Sequence, residues 1–301
     1  MATPSVKSIV AAELAQAVGP AAAELARSIR QRHAKGAVAV LFYGSCLRQP
    51  DRDLADALLD FYLLVDDYRA AYDQAWLAVA NRLLPPNVFY CEADWQGGRL
   101  RAKYVVISLQ DFVRGCSEEA ENVSIWARFS QPARLVWSRD TATAERVVAA
   151  CAAAVGTMLA RVRPLLPGIV DAETLWVRAF RETYAAELRA ESGERARHIY
   201  LADRERYAQL ASAVIAGSPP PSRSPEQAER DWRHRRRLGK LLNYARLVKA
   251  AFTFDGGVDY VMWKVRRHSG VVIPVTDWQR RHPVLAAPGL AWRLYRRGAF
   301  R

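Results

Sequence analysis

A glycine–serine pair and one carboxylate are the first residues in this chain that could do chemistry. Phe42-Tyr43-Gly44-Ser45 closes a short apolar run, and after 14 further residues Asp60 stands inside a second one. An isolated Gly-Ser carries no information. An acid flanked by Leu58-Leu59 and Phe61-Tyr62-Leu63-Leu64-Val65 does, because burying an unpaired carboxylate is costly. A cation or several hydrogen bonds must compensate it. A glycine at a strand end lets the backbone approach a phosphate closely. A serine hydroxyl and neighbouring amides at a helix start hold phosphate oxygens. A carboxylate beside them holds Mg2+, which stabilises charge on a transferred phosphorus. The same residues also suit a plain structural role, a turn between core strands with Asp60 capping a helix or pairing with an arginine.

These residues need strands to hold them. Residues 37–43 and 58–65 are short, almost fully apolar runs and read as buried strands. Residues 6–35 read as a helix ended by Gly36, 46–57 as a polar connection, and 67–84 as a helix ended by Pro85-Pro86. Residues 87–94 and 99–108 flank Gln96-Gly97-Gly98 and read as a β-hairpin. A further strand is expected at 134–137, then helices at 144–163, 171–190 and 194–216. A Pro/Ser-rich linker at 217–225 precedes a basic helix at 226–252. Strands first and helices later indicate an α/β or α+β domain followed by a helical one.

A strand, a Gly-Ser turn and a carboxylate on the next strand is the plan of a nucleotidyltransferase palm. The usual palm carries D-h-D, with h apolar, but here the third position is Tyr62. Asp66 lies about 20 Å along a straight strand from Asp60, so it is expected to cap the helix beginning near Tyr68. Glu92 and Asp94 on the hairpin are the candidates for additional metal ligands; the alternative is that they face solvent.

Five blocks in order resemble the mitochondrial-type phosphatidate cytidylyltransferases, the peripheral CDP-diacylglycerol synthases of the translocator assembly and maintenance family. They are F-Y-G-S-C-L-R-Q (42–49), L-L-D-F-Y-L-L-V-D-D (58–67), N-V-F-Y (87–90), L-R-A-K-Y-V-V-I-S-L (100–109) and W-A-R-F-S-Q-P-A-R-L-V (126–136). The blocks cover residues 40–137, and a weaker helical similarity reaches about residue 190. The chain departs from the pattern at Cys46, where the family has a second glycine, at Glu92 for Asn, and at Ala133 for Gly. The resemblance implies CTP and Mg2+ as nucleotide and cofactor and phosphatidic acid as acceptor. It implies that Tyr43, Gly44 and Ser45 cradle the triphosphate, that Asp60 is the metal ligand, and that Lys103 and Arg134 contact phosphate. Without it, Lys103 reads as an exposed hairpin lysine and Arg134 as a surface ion pair. Trp126 and Phe129 are expected in the core.

The chain has 301 residues, 51% hydrophobic and 25% charged, a globular balance that excludes disordered and fibrous classes. The uncharged run 147–160 is short and alanine-rich, so a membrane span is not expected. Four cysteines without C-x-x-C spacing argue against a disulfide framework or zinc site and for a reducing compartment. The acids Glu13 and Glu24 near the start argue against a secretory signal. The net charge is +13, and residues 231–301 carry +12 of it, with 16 Lys/Arg against 4 Asp. Ten aromatics are interleaved there, which suits an anionic membrane surface. Nucleic acid is the competing partner. His268 and His282 stand apart from each other and read as structural.

The sequence therefore predicts an α+β protein: a nucleotidyltransferase palm at 1–143, a helical domain at 144–225 and a basic, aromatic, membrane-associating region at 226–301. The expected reaction joins CTP and phosphatidic acid into CDP-diacylglycerol and pyrophosphate, on the cytoplasmic face of a membrane. The alternatives are nucleotide transfer to RNA or a small hydroxyl compound, or a non-catalytic binding module.

Overall fold

A computed structural model describes residues 4–47, 57–168, 170–187, 193–217, 223–253 and 257–297. Most of the connection expected at 46–57 and of the linker expected at 217–225 lies outside the described residues. The molecule is a mixed α+β protein built on a five-stranded mixed sheet.

Two helices open the chain, α1 (Val6–Leu14) and α2 (Pro20–Arg32), where the sequence suggested one. Gly19-Pro20 causes the break: Pro20 lacks an N–H for a continuing helix but suits a first turn. Strands β1 (Ala37–Tyr43) and β2 (Leu58–Val65) pair antiparallel. Both fall where the apolar runs placed them.

The helix expected at 67–84 is divided into α3 (Tyr68–Ala71) and α4 (Ala75–Leu83). The Tyr72 hydroxyl accepts hydrogen bonds from Asn81 and Asn87 at the break. The side chain of the N-cap residue, Asp67, makes no capping bond to α3: Asp66 pairs with Arg139 and Asp67 with Arg82. The cap expected from Asp66 is thus replaced by a tie to the far edge of the sheet.

Strands β3 (Asn87–Trp95) and β4 (Gly98–Ser108) form the hairpin. Its two turn residues, Gln96 and Gly97, both have positive φ, the geometry that matches the twist of a two-residue hairpin. The short helices α5 (Leu109–Cys116) and α6 (Trp126–Phe129) lead to β5 (Ala133–Ser138). The strand order is β3-β4-β2-β1-β5, with β2 and β4 parallel and the other pairs antiparallel.

Helices α7 (Thr141–Val162), α8 (Ala172–Ala186), α9 (Gly193–Ala202) and α10 (Arg204–Gly217) follow. By length and composition Thr141–Leu165 could cross a membrane, the one such helix among the described residues; half of that window is buried inside the protein. One buried cluster runs from Val10 and Leu14 of α1 through Leu41, Tyr62 and Ile107 of the sheet to α7 and Trp176, Tyr207 and Trp232. The boundary expected at 143/144 falls in the first turn of α7, whose inner face belongs to that shared core. The opposite sheet face packs on α2, α3 and α4 through Leu25, Ile29, Phe61 and Tyr104.

Helix α11 (Pro225–Thr253) is 29 residues, about 44 Å at 1.5 Å per residue. Its far end returns to the sheet: Arg246 donates to the Pro85 carbonyl at 3.0 Å, and Lys249 to those of Leu84 and Pro86 at 2.5 and 2.7 Å. Three further helices follow, α12 (Gly257–Ser269), α13 (Asp277–Arg281) and α14 (Pro283–Arg296). Helices α12 and α14 share a small apolar cluster of their own, Val258, Ala286 and Leu290.

Candidate active site

The register brings three expected residues, Tyr43, Asp60 and Lys103, to one level of the sheet, with Tyr90 beside them. Asp60 lies opposite Tyr43 on β1 and opposite Lys103 on β4, and Lys103 lies opposite Tyr90 on β3. Directly paired residues share a sheet face, about 5 Å apart. The row Tyr90–Lys103–Asp60–Tyr43 therefore crosses four strands on one side. Gly44 follows with φ +96°, in the left-handed region that glycine enters freely. A Cβ there would lie 3.1 Å from Asp60 Oδ2, so glycine is needed for both the turn and the close approach. Ser45 is exposed and opens a single 3-10 turn, Ser45–Leu47.

Tyr43, Gly44, Ser45 and Asp60 line a cleft of about 250 Å3. Its other wall comes from Arg128 on α6 and from Tyr184, Glu187 and Arg195 at the ends of α8 and α9. Arg128 Nη1 donates to the Tyr43 hydroxyl at 3.3 Å, and the guanidinium lies 5.1 Å from the Tyr43 ring centre. Glu187 approaches Arg128 at 3.9 Å. Its position depends on a second glycine: a Cβ at Gly239 of α11 would collide with the Ala186 carbonyl, so only glycine lets α11 pass the end of α8. Burial pushes the Tyr43 phenol far above its ordinary value, which keeps it a neutral donor and acceptor. Burial works against the Arg128 charge, but Tyr43, Tyr62, Glu187 and Asp60 outweigh it and hold the group firmly protonated. Arg128 Nε is buried with no hydrogen-bond acceptor from the protein.

Two expected site residues lie elsewhere. Glu92 is two residues beyond Tyr90 on β3, roughly 12 Å from Asp60 by strand spacing and rise. It accepts from Tyr90 at 2.7 Å and from Arg99 at 3.0 Å, with Arg101 at 3.4 Å. Burial alone would raise its carboxyl; these bonds and charges win and hold it below the usual value. Its oxygens are thus engaged by Tyr90 and two arginines, and it does not line the Asp60 cleft. Arg134 pairs across from Phe42, not from Tyr43, and Glu13, Arg206 and Asp203 are the charges around it. Burial lowers its pKa, and it donates to the Ala133 carbonyl at 2.9 Å. Trp126 and Phe129 are buried as expected.

Sequence reasoning missed Arg128 and Glu187. Arg128 carried the signal that exposed Asp60, a charge inside an apolar stretch, Trp126-Ala127-Arg128-Phe129. Glu187 carried none, because only the helix crossing brings it to the cleft.

Among the described residues no group of three or more His, Cys, Asp or Glu side chains converges as a metal cage. Asp60 and Glu187 nevertheless offer two hard oxygen donors in one cleft. Mg2+ is commonly held by one or two carboxylates together with substrate phosphates, so this donor set fits Mg2+ arriving with a polyphosphate.

The fold and cleft define a mixed α+β protein with one sheet-borne carboxylate beside a glycine turn and a partly buried arginine. No protein-family model matches the chain, and no curated protein is significantly similar to it.

Proposed function

We propose that this protein is a nucleotidyltransferase of the palm class, and specifically a CTP-dependent phosphatidate cytidylyltransferase. The observation that carries the reading is the row Lys103–Asp60–Tyr43 ending at the positive-φ Gly44, beside a cleft that also holds Arg128. An antiparallel pair carrying a Gly-Ser turn and a facing carboxylate is what a palm requires. The five-block resemblance supplies the nucleotide and the acceptor.

In this reading the Gly44–Ser45 turn receives the triphosphate. Arg128 and Lys103 offset its negative charge, and Asp60 and Glu187 would hold Mg2+. Bound there, the ion neutralises charge that develops on the phosphates. An oxygen of the lipid phosphate attacks the α-phosphorus of CTP, the bond to the β-phosphate breaks, and pyrophosphate leaves. The phosphate nucleophile is already ionised at pH 7, so no side chain need remove a proton. A single sheet carboxylate then suffices, because what remains is positioning and charge stabilisation. The basic, aromatic C-terminal helices would hold the protein peripherally on an anionic membrane.

The test uses purified protein, Mg2+, radiolabelled CTP and vesicles containing phosphatidic acid. Label is expected in the lipid extract, and Asp60→Ala is expected to lower its rate about 100-fold or more. Lipid label of equal rate from Asp60→Ala, or none from the wild type, overturns the reading.

A further inference from the structure

A second cavity, of about 590 Å3, opens beside edge strand β3. Five arginines line it, Arg32, Arg99, Arg101, Arg266 and Arg280, against the acids Glu92 and Asp259. The lining is therefore three charges positive. Arg99 and Arg101 are partly committed to Glu92, and Arg280 to Asp259. Arg32 and Arg266 are exposed and add charge beyond those pairs.

Helix α12 forms the shared wall between this cavity and an apolar groove. Asp259, Trp263 and Arg266, spaced i, i+4, i+7, line the arginine cavity; Val258, Val261 and Val265, spaced i, i+3, i+7, line the groove. Met262 lines both. The groove encloses about 400 Å3, with Leu247 of α11 and Ala287, Leu290 and Leu294 of α14 completing it. Both spaces have the size of ligand pockets.

One wall residue of the cavity shares the sheet row of Asp60. Tyr90 lines the cavity and stands two strands, about 10 Å, from Asp60 in the shared row. Tyr260 of α12 packs on Tyr90 at 5.7 Å and lies near enough to feel the Asp60 charge. Arg101 stacks on Trp263 at 5.7 Å, which docks α12 onto β4. The arginine cavity and the Gly44 turn thus lie on opposite sides of Asp60 along the sheet.

We infer that α12 is the divider of a lipid acceptor site: a phosphate monoester enters the arginine cavity and its acyl chains lie in the apolar groove. A phosphate monoester carries about −1.5 to −2 charge at pH 7, which matches the excess of arginine. Arginine forks bind such groups bidentately. An apolar groove across one helix from the anion cavity selects a phosphate attached to chains over free phosphate. The inference rests on reading the Asp60 cleft as the transfer site. An acceptor phosphate on the β3 side would approach Asp60 from the side opposite the Gly44 turn.

The full chain is titrated with dihexanoyl phosphatidic acid and, separately, with glycerol 3-phosphate. The wild type and Asp60→Ala are expected to bind the lipid equally and more tightly than glycerol 3-phosphate. Replacing Arg32 and Arg266 together by Gln is expected to weaken both ligands about tenfold or more. Val261→Asp, at a half-exposed position, is expected to weaken the lipid alone. In turnover the paired arginine variant raises KM for phosphatidic acid while KM for CTP holds. Lipid affinity unchanged in these variants, or no lipid binding by the wild type, overturns the acceptor site. Turnover by the wild type with variants unaffected keeps the transferase and rejects this site. Binding that depends on these residues, without CTP turnover, keeps the site and rejects the transferase.

Discussion

Arg128 sits among buried neighbours yet turns its charge toward the cleft. Trp126, Ala127 and Phe129 anchor its helix turn in the core, and its guanidinium stacks on Tyr43. A planar fork can stack on a ring and bond a phosphate at once; an ammonium cannot do both. Arg128→Lys is therefore expected to keep the fold and raise KM for CTP about tenfold or more. That corresponds to losing one charge-assisted hydrogen bond of about 1.5–3 kcal/mol. Intact near-UV circular dichroism with unchanged CTP kinetics would sink the assigned role.

Elements on the far sheet face are joined through a histidine. His33 follows α2, and its Nδ1 lies 2.7 Å from the Ala71 carbonyl at the end of α3. A carbonyl only accepts, so Nδ1 carries the proton and Nε2 accepts from the Tyr104 hydroxyl at 3.2 Å. Burial, the largest influence, lowers the His33 pKa below its ordinary 6.5; the Ala71 bond opposes this only in part. Below about pH 6.5 the unfolded chain takes up a proton that the folded state resists, so stability falls as pH drops through that range. Urea midpoints between pH 7.5 and 5 are expected to fall more for the wild type than for His33→Gln. Parallel slopes for the two proteins would contradict the assignment.

Across the whole molecule, one ion pair ties the sheet to the late helices. Glu13 of α1 pairs with Arg206 of α10 and also accepts from the Ala133 N–H at 3.2 Å, where β5 begins. Arg206 Nη1 donates to the Ser130 carbonyl at 3.0 Å. Both side chains are nearly buried, 11% and 12% exposed. Removing one partner leaves the other charge buried and uncompensated, so Glu13→Ala is expected to cost about 3–5 kcal/mol in a denaturant titration. Because Trp126, Trp176 and Trp232 share one core with the sheet, tryptophan fluorescence and far-UV circular dichroism are expected to report a single coincident transition. Two separated transitions would instead mark 1–143 and 144–225 as independent folding units.

The sequence alone determined the elements whose information is local. Strands β1 and β2 were legible to the residue, because an almost unbroken apolar run can only be buried and a glycine or polar stretch ends it. The hairpin was legible from Gln96-Gly97, and the nearness of Asp60 to the Gly44 turn from one acid in an apolar strand after a Gly-Ser turn. The break at Gly19-Pro20 is written in the sequence; the one at Tyr72 depends on distant Asn81 and Asn87. Only the tertiary structure decided the strand order, the removal of Glu92 and Arg134 from the cleft, and the arrival of Arg128 and Glu187 in it. Those outcomes follow from pairing and packing between segments far apart in the chain. A parallel β2–β4 ladder, or α11 passing α8 at Gly239, leaves no periodic trace in either segment, because the energy that selects it exists only when both surfaces meet.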